Sequence, residues 1–218
     1  MTACLAALML RRNRLAVLIA LTLAALCGYF LYGQISDDFT AARRLERNFY
    51  GALDTRDDAD TELNDVVRQL YHGSIKHGEQ YLSPERRREP TAYYGRSAGI
   101  GLAIAHTSPD HKKVGVIGLG AGTLAVYGKA GDTYRMYEIN PQVIELARSE
   151  FTFMADSAAT IETVLGDARL SMEREAPQGF DVLAVDAFSG DSVPVHLITA
   201  EAMDVYLRHM KPDGIIAF

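Results

Sequence analysis

A chain of 218 residues has room for one or two domains. Its composition, 48% hydrophobic and 23% charged, is that of a globular protein with some membrane character. A formal net charge of −6 argues against a nucleic-acid partner, which would call for a basic face. The acidity suits a cationic small substrate, although mild acidity is also the common state of soluble proteins. The two cysteines, Cys4 and Cys27, have neither metal-ligand spacing nor a disulfide framework.

Residues 15–35 form an uncharged, mostly apolar run, matching the roughly 20 residues that cross a bilayer as a helix. Tyr29, Phe30 and Tyr32 lie near its end, as interfacial aromatics do. The pattern predicts a transmembrane segment within residues 1–36. A cleaved signal peptide is the competing reading; the run is long for one, and no clean small-x-small site follows it. Residues 1–10 are apolar but too short to span alone, and read as the tail of an earlier span. Arg11, Arg12 and Arg14 before the run direct the rest of the chain outward, while Arg43, Arg44 and Arg47 after it weaken that bias.

Residues 37–105 read as a linker followed by a small β domain. Residues 37–47 are polar, a linker or helix. Segments 48–55 (NFYGALDT) and 65–71 (DVVRQLY) are rich in aromatic and β-branched residues and predict antiparallel strands. His72-Gly73 and His77-Gly78 read as turns. Residues 83–90 (SPERRREP) form a charged surface loop, and 98–105 (AGIGLAIA) a helix.

Over residues 106–218 strand and helix patterns alternate, the mark of βαβ units. Strands are predicted near 114–117, 134–138, 161–164, 181–186 and 214–218. Helices are predicted near 121–129, 141–154, 168–175 and 197–211, the last ended by a turn at 211–214 (KPDG). The chain stops inside a predicted strand, so an incomplete sheet domain is expected.

Four motifs follow predicted strands, at the edge where open parallel sheets bind ligands. The first is VGVIGLGAG at 114–122, whose Gly118, Gly120 and Gly122 permit a sharp turn and close approach of a ligand. The same glycines serve tight strand–helix packing, and the spacing is not that of dinucleotide sites. Glu138 lies 20 residues beyond Gly118, where a carboxylate can accept from both ribose hydroxyls. Asp167, in Gly166-Asp167, can accept from an adenine amino group or simply cap the next helix. Asp186 ends the apolar stretch FDVLAVD (180–186) and can bind a cationic amine and take its proton. Asp191, five residues on in a Gly/Ser/Pro loop, is a second amine-binding candidate or a turn former. Tyr93 and Tyr94 are filler or pocket-lining hydroxyls.

These residues resemble the spermidine synthase family of aminopropyltransferases, in particular its membrane-fused bacterial relatives, over about residues 48–218. The resemblance implies an α/β fold: a Rossmann-like S-adenosylmethionine-dependent transferase sheet, C-terminally truncated, behind a small antiparallel β unit and an N-terminal transmembrane helix. It makes Gly118–Gly122 the glycine turn, Glu138 the ribose acid, Asp167 the adenine acid and Asp186 the catalytic aspartate. Tyr93 and Tyr94 match the family's Tyr-His pair, and Gln80 the glutamine near the donor's amino-acid end. The departures sit in the amine half: Ser189 at the second aspartate, Pro194 one place late, Tyr94 for histidine, and Pro90 after Glu89.

The implied activity is aminopropyl transfer from decarboxylated S-adenosylmethionine to putrescine or a related polyamine, without a metal. A homodimer, anchorage in the bacterial inner membrane and a cytoplasmic catalytic domain go with it. An S-adenosylmethionine-dependent methyltransferase, or a membrane-tethered nucleoside-binding domain without catalysis, are the alternatives.

Overall fold

The computed structural model describes residues 14–107, 110–188 and 192–218. The sequence candidate Asp191 and the changed position Ser189 lie outside these residues. By its internal contacts the chain forms two compact units, Met1–Ala42 and Arg43–Phe218.

The described part of the first unit is helix α1 (Arg14–Ala41). Its 21-residue stretch Ala16–Ser36 has a mean hydropathy of 2.0 and no buried share, so the helix is long and apolar enough to cross a membrane. A membrane span and a signal sequence both have this character.

The second unit opens with an antiparallel sheet of β1 (Arg44–Asn48), β2 (Gly51–Asp60), β3 (Asp65–His72) and β4 (Ile75–Tyr81), in that order. The strand predicted over 48–55 is interrupted by a tight turn at Phe49 and Tyr50. Asn48 makes the turn, its Oδ1 accepting from the Tyr50 N–H at 2.8 Å. His77-Gly78, predicted as a turn, lies inside β4 instead. Gly78 stands opposite Leu70 while Lys76 stands opposite Tyr71, so His77 is the extra residue of a β-bulge.

A short 3₁₀ turn (Ala92–Tyr94) and α2 (Gly99–His106) lead to the second sheet. There β5 (Lys113–Ile117), β6 (Thr133–Glu138), β7 (Thr160–Leu165), β8 (Phe180–Val185) and β9 (Met210–Ala217) run parallel in the order β7-β6-β5-β8-β9. Helices α3 (Pro141–Ser149), α4 (Ala168–Arg174) and α5 (Ala200–His209) connect them. The chain steps outward from β5 to β7, then returns to β8 on the other side of β5. The crevice beyond the carboxyl ends of β5 and β8 is therefore the topological switch point, where such sheets bind ligands.

Three predicted boundaries change. The helix expected at 121–129 is a 3₁₀ turn (Thr123–Tyr127), because Gly128 ends it in close contact with Ser157 and Ala159. The helix α3 stops at Ser149, and the residues after it turn Phe151 and Phe153 into the core. The 211–214 turn is carried as a bulge within β9, where Met210 and Ile215 pair with Phe180 and Val182.

Every residue of β8 is buried, as expected of a parallel strand covered on both faces. Val182 and Ala184 pack in one core with Tyr94, Leu53 and Leu70. Leu183 and Val185 pack in the other with Met172 and Tyr206. Side chains alternate along a strand. Asp186 thus continues the face of Val182 and Ala184, toward the antiparallel sheet, and Glu138 continues that of Tyr134 and Met136.

Candidate active site

The glycine turn follows β5. Gly118, Gly120 and Gly122 have φ of +96°, +52° and +81°, the left-handed region that side chains disfavour. A Cβ on Gly118 would lie 2.5 Å from the Asp186 carbonyl oxygen, and one on Gly120 2.6 Å from that of His77. The turn is thus wedged between the exit of β8 and the bulge of β4. Gly118→Ala combines positive φ with a backbone clash, so we expect it to cost at least about 1–3 kcal/mol, read as a lower urea midpoint. An unchanged midpoint would mean that the turn has slack.

Glu138 closes the turn from the next strand. Its Oε2 accepts from the Leu119 N–H at 3.0 Å and its Oε1 from the Asn140 N–H at 2.9 Å. Burial pushes its carboxyl up, and these backbone donors offset part of the effect. Asn140 caps α3 and accepts from Asn48 at 2.6 Å, while its own Nδ2 is buried without a partner among the described residues.

Asp167 caps α4, its Oδ1 accepting from the Leu170 N–H at 2.9 Å. The capping reading therefore holds, and it leaves the other oxygen facing a residue that sequence reasoning missed. Oδ2 lies 2.8 Å from Nε2 of His196.

Asp186 accepts a short hydrogen bond from the buried Tyr94 hydroxyl. The Tyr93 hydroxyl lies 3.2 Å from that of Tyr94 and can donate to it in turn. Burial raises the Asp186 carboxyl to about 6, with the Tyr94 hydroxyl pulling the other way. Burial beside Asp186 raises both tyrosines as well, so they remain protonated donors at neutral pH.

Two adjoining cavities meet here. One, about 160 Å³, is lined by Gly118, Gly120, Glu138, Asp167, Tyr50 and His196 among others. The second, about 440 Å³, has largely apolar walls that include Ile75, Ile100, Leu124 and Phe218. Asp186, Tyr93, Tyr94, His77 and Phe188 line both. Glu138, Asp167 and Asp186 thus converge on one cavity, and Asp186 stands at its junction with the next.

Two sequence candidates line neither cavity. Gly122 packs against Met154. Gln80 is 1% exposed and its amide is fully used: Nε2 donates to the Arg87 carbonyl and Thr152 Oγ1, each at 2.8 Å, and Oε1 accepts from the Thr152 N–H. It bridges β4 to the loop after α3, which occupies the groups a donor-binding role would need. Among the described residues no group of three or more His, Cys, Asp or Glu could hold a metal ion.

No protein-family model matches the chain. The polyamine aminopropyltransferase of Vibrio vulnificus is 28% identical over 144 residues, 63% of this chain and 46% of that protein. An N-terminal histidine N-methyltransferase of Emericella nidulans is 33% identical over 104 residues, 47% of this chain and 18% of that protein. Among solved structures, a probable spermidine synthase from Corynebacterium glutamicum aligns with a TM-score of 0.64 at 21% identity, over 79% of this chain and 62% of that one. The chain spans about half the length of the aminopropyltransferase it matches. The structural likeness is one of fold.

Proposed function

We propose that this chain belongs with the spermidine synthases, which it resembles in sequence and fold, and that it moves an aminopropyl group from decarboxylated S-adenosylmethionine to putrescine or a related small amine. The observation that carries the reading is Asp186: one carboxylate, oriented by Tyr94, lining both cavities. The smaller cavity takes the nucleoside. Glu138 accepts from the ribose hydroxyls, and Asp167 with its partner His196 faces the adenine. The larger cavity takes the amine, between Tyr93, Tyr94 and the apolar wall.

The sulfonium leaves as a neutral thioether and needs no acid. The harder task is to supply a free amine, because an alkylammonium has a pKa of about 10.4. Asp186 attracts the ammonium, aligns its nitrogen with the donor carbon and takes up the proton. Alignment of two bound reactants supplies much of the rate gain. The helix α1 anchors the chain in a bacterial inner membrane, with the catalytic unit on the cytoplasmic side where the donor is made.

The methyltransferase reading keeps one point in its favour, the histidine methyltransferase relative. Mass spectrometry of products, with both sulfonium donors and a panel of di- and polyamines, separates the two. Aminopropylated amine with methylthioadenosine supports our reading; S-adenosylhomocysteine overturns it.

A base with a pKa near 6 in the empty site predicts that kcat/KM falls below about pH 6. Tyr94→Phe removes the hydroxyl that holds that pKa down, so the acid limb should move to higher pH. His77 also lines the site and its pKa is lowered by burial, so only the shift in Tyr94→Phe assigns the limb to Asp186. A limb that stays in place in that variant assigns it to another group.

A further inference from the structure

We infer that His77 contacts the acceptor amine directly, its Nε2 accepting a hydrogen bond from the attacking nitrogen beside Asp186. The inference rests on the aminopropyl reading above and adds a residue that reading does not use.

Three observations meet at this side chain. His77 is the bulged residue of β4, and bulges re-aim side chains at functional sites. It lines both cavities, as Asp186 does. Its Nε2 is buried and has no hydrogen-bond partner among the described residues. Each unmet buried polar atom carries a real cost, so a bound molecule is the natural source of the missing partner. The bulge itself is held in place by the protein. Gly78 has φ of +154° and lies so close to Ala121 that a Cβ would be 2.7 Å from the alanine's, while the His77 carbonyl abuts Gly120.

The charge of the ligands fixes the role of the nitrogen. The site must take two cations, a sulfonium and an ammonium. An imidazolium, or a ring N–H aimed at either of them, would repel. A neutral ring carrying its proton on Nδ1 offers Nε2 as an acceptor, which suits an ammonium. Burial and the neighbouring His72, whose ring centroid is 5.6 Å away, favour the neutral form. His72 itself is occupied, its Nε2 lying 2.8 Å from the Tyr50 carbonyl.

The ammonium gives one proton to the Asp186 carboxylate. A second N–H is held by His77 Nε2, which stops the nitrogen from rotating and keeps its lone pair for the donor. That lone pair attacks the methylene bound to sulfur. The C–N bond forms, the C–S bond breaks with its electron pair passing to sulfur, and neutral methylthioadenosine leaves. The product nitrogen is a secondary ammonium.

The test uses the full-length protein in detergent, with His77→Phe, which removes the acceptor, and His77→Asn, which can restore one. Amine kcat/KM at saturating donor should fall roughly ten- to a hundredfold in His77→Phe and partly recover in His77→Asn. Methylthioadenosine affinity should change far less than amine kinetics, and the melting temperature of His77→Phe should hold or rise, since the unmet nitrogen is gone. Wild-type amine kinetics in His77→Phe would overturn the inference. So would equal losses of amine kinetics, methylthioadenosine affinity and melting temperature in both variants, which indicate a packing role. A wild-type protein that releases no methylthioadenosine with any amine removes the aminopropyl reading and this inference with it.

Discussion

Asp186→Asn should melt at a higher temperature than the wild type, bind methylthioadenosine equally well, and turn over roughly 10²–10⁴-fold more slowly. The three effects have one cause. The Asp186 carboxyl titrates near 6 in the folded chain because burial disfavours its charge. Its ordinary value is 3.8. The folded state therefore binds that proton more tightly than the unfolded state does. Stability contributed by this group is greatest at low pH and falls as pH rises from about 4 to 6. Above that window the buried charge costs roughly 3 kcal/mol, at 1.36 kcal/mol per pKa unit. Asparagine removes the charge while keeping an oxygen for the Tyr94 hydroxyl, and leaves the backbone packed on Gly118 untouched. What is lost is the base. The gain in melting temperature should shrink as pH falls through this window and vanish well below the ordinary value of 3.8, where the wild-type carboxyl is neutral in both states. A fall in nucleoside affinity that matches the fall in turnover would overturn the role, because Asp186 would then be holding the donor.

Much of this site was legible because a βα unit converts sequence distance into geometry. Ile117 pairs with Tyr137 in register, so Gly118 and Glu138 leave adjacent strands at the same edge although 20 residues separate them. The buried run of β8 likewise reads as a strand, and its end fixes Asp186 at the crevice. The parts that were not legible depend on pairing between distant segments. His77 looks like a turn residue beside a glycine, and only the register of β3 against β4 makes it a bulge aimed at the site. The resemblance makes Gln80 the glutamine near the donor's amino-acid end, but Thr152, 72 positions away, takes up its amide. Asp167 looked like a ligand or a cap. It is a cap whose second oxygen meets His196, a contact with no local sequence signal.

Glu138→Gln should weaken nucleoside binding roughly ten- to a hundredfold, the usual effect of removing a hydrogen bond to a charged acceptor. The carboxylate would do two jobs: its oxygens accept from Leu119 and Asn140, and the residue also lines the smaller cavity. Glutamine has one acceptor oxygen, so either backbone N–H loses its partner, and about 1–3 kcal/mol of stability should go with it. The two jobs separate by ligand. If Glu138 holds the ribose, adenine alone should bind the variant and the wild type with equal affinity, while methylthioadenosine should discriminate between them. Analogues lacking the 2′- or 3′-hydroxyl should discriminate by less, each in proportion to the donor removed. Equal losses for adenine and methylthioadenosine would mean that the variant has only loosened the glycine turn. Glu138 would then be a brace between Leu119 and Asn140, and the smaller cavity would need another group to recognise a ribose.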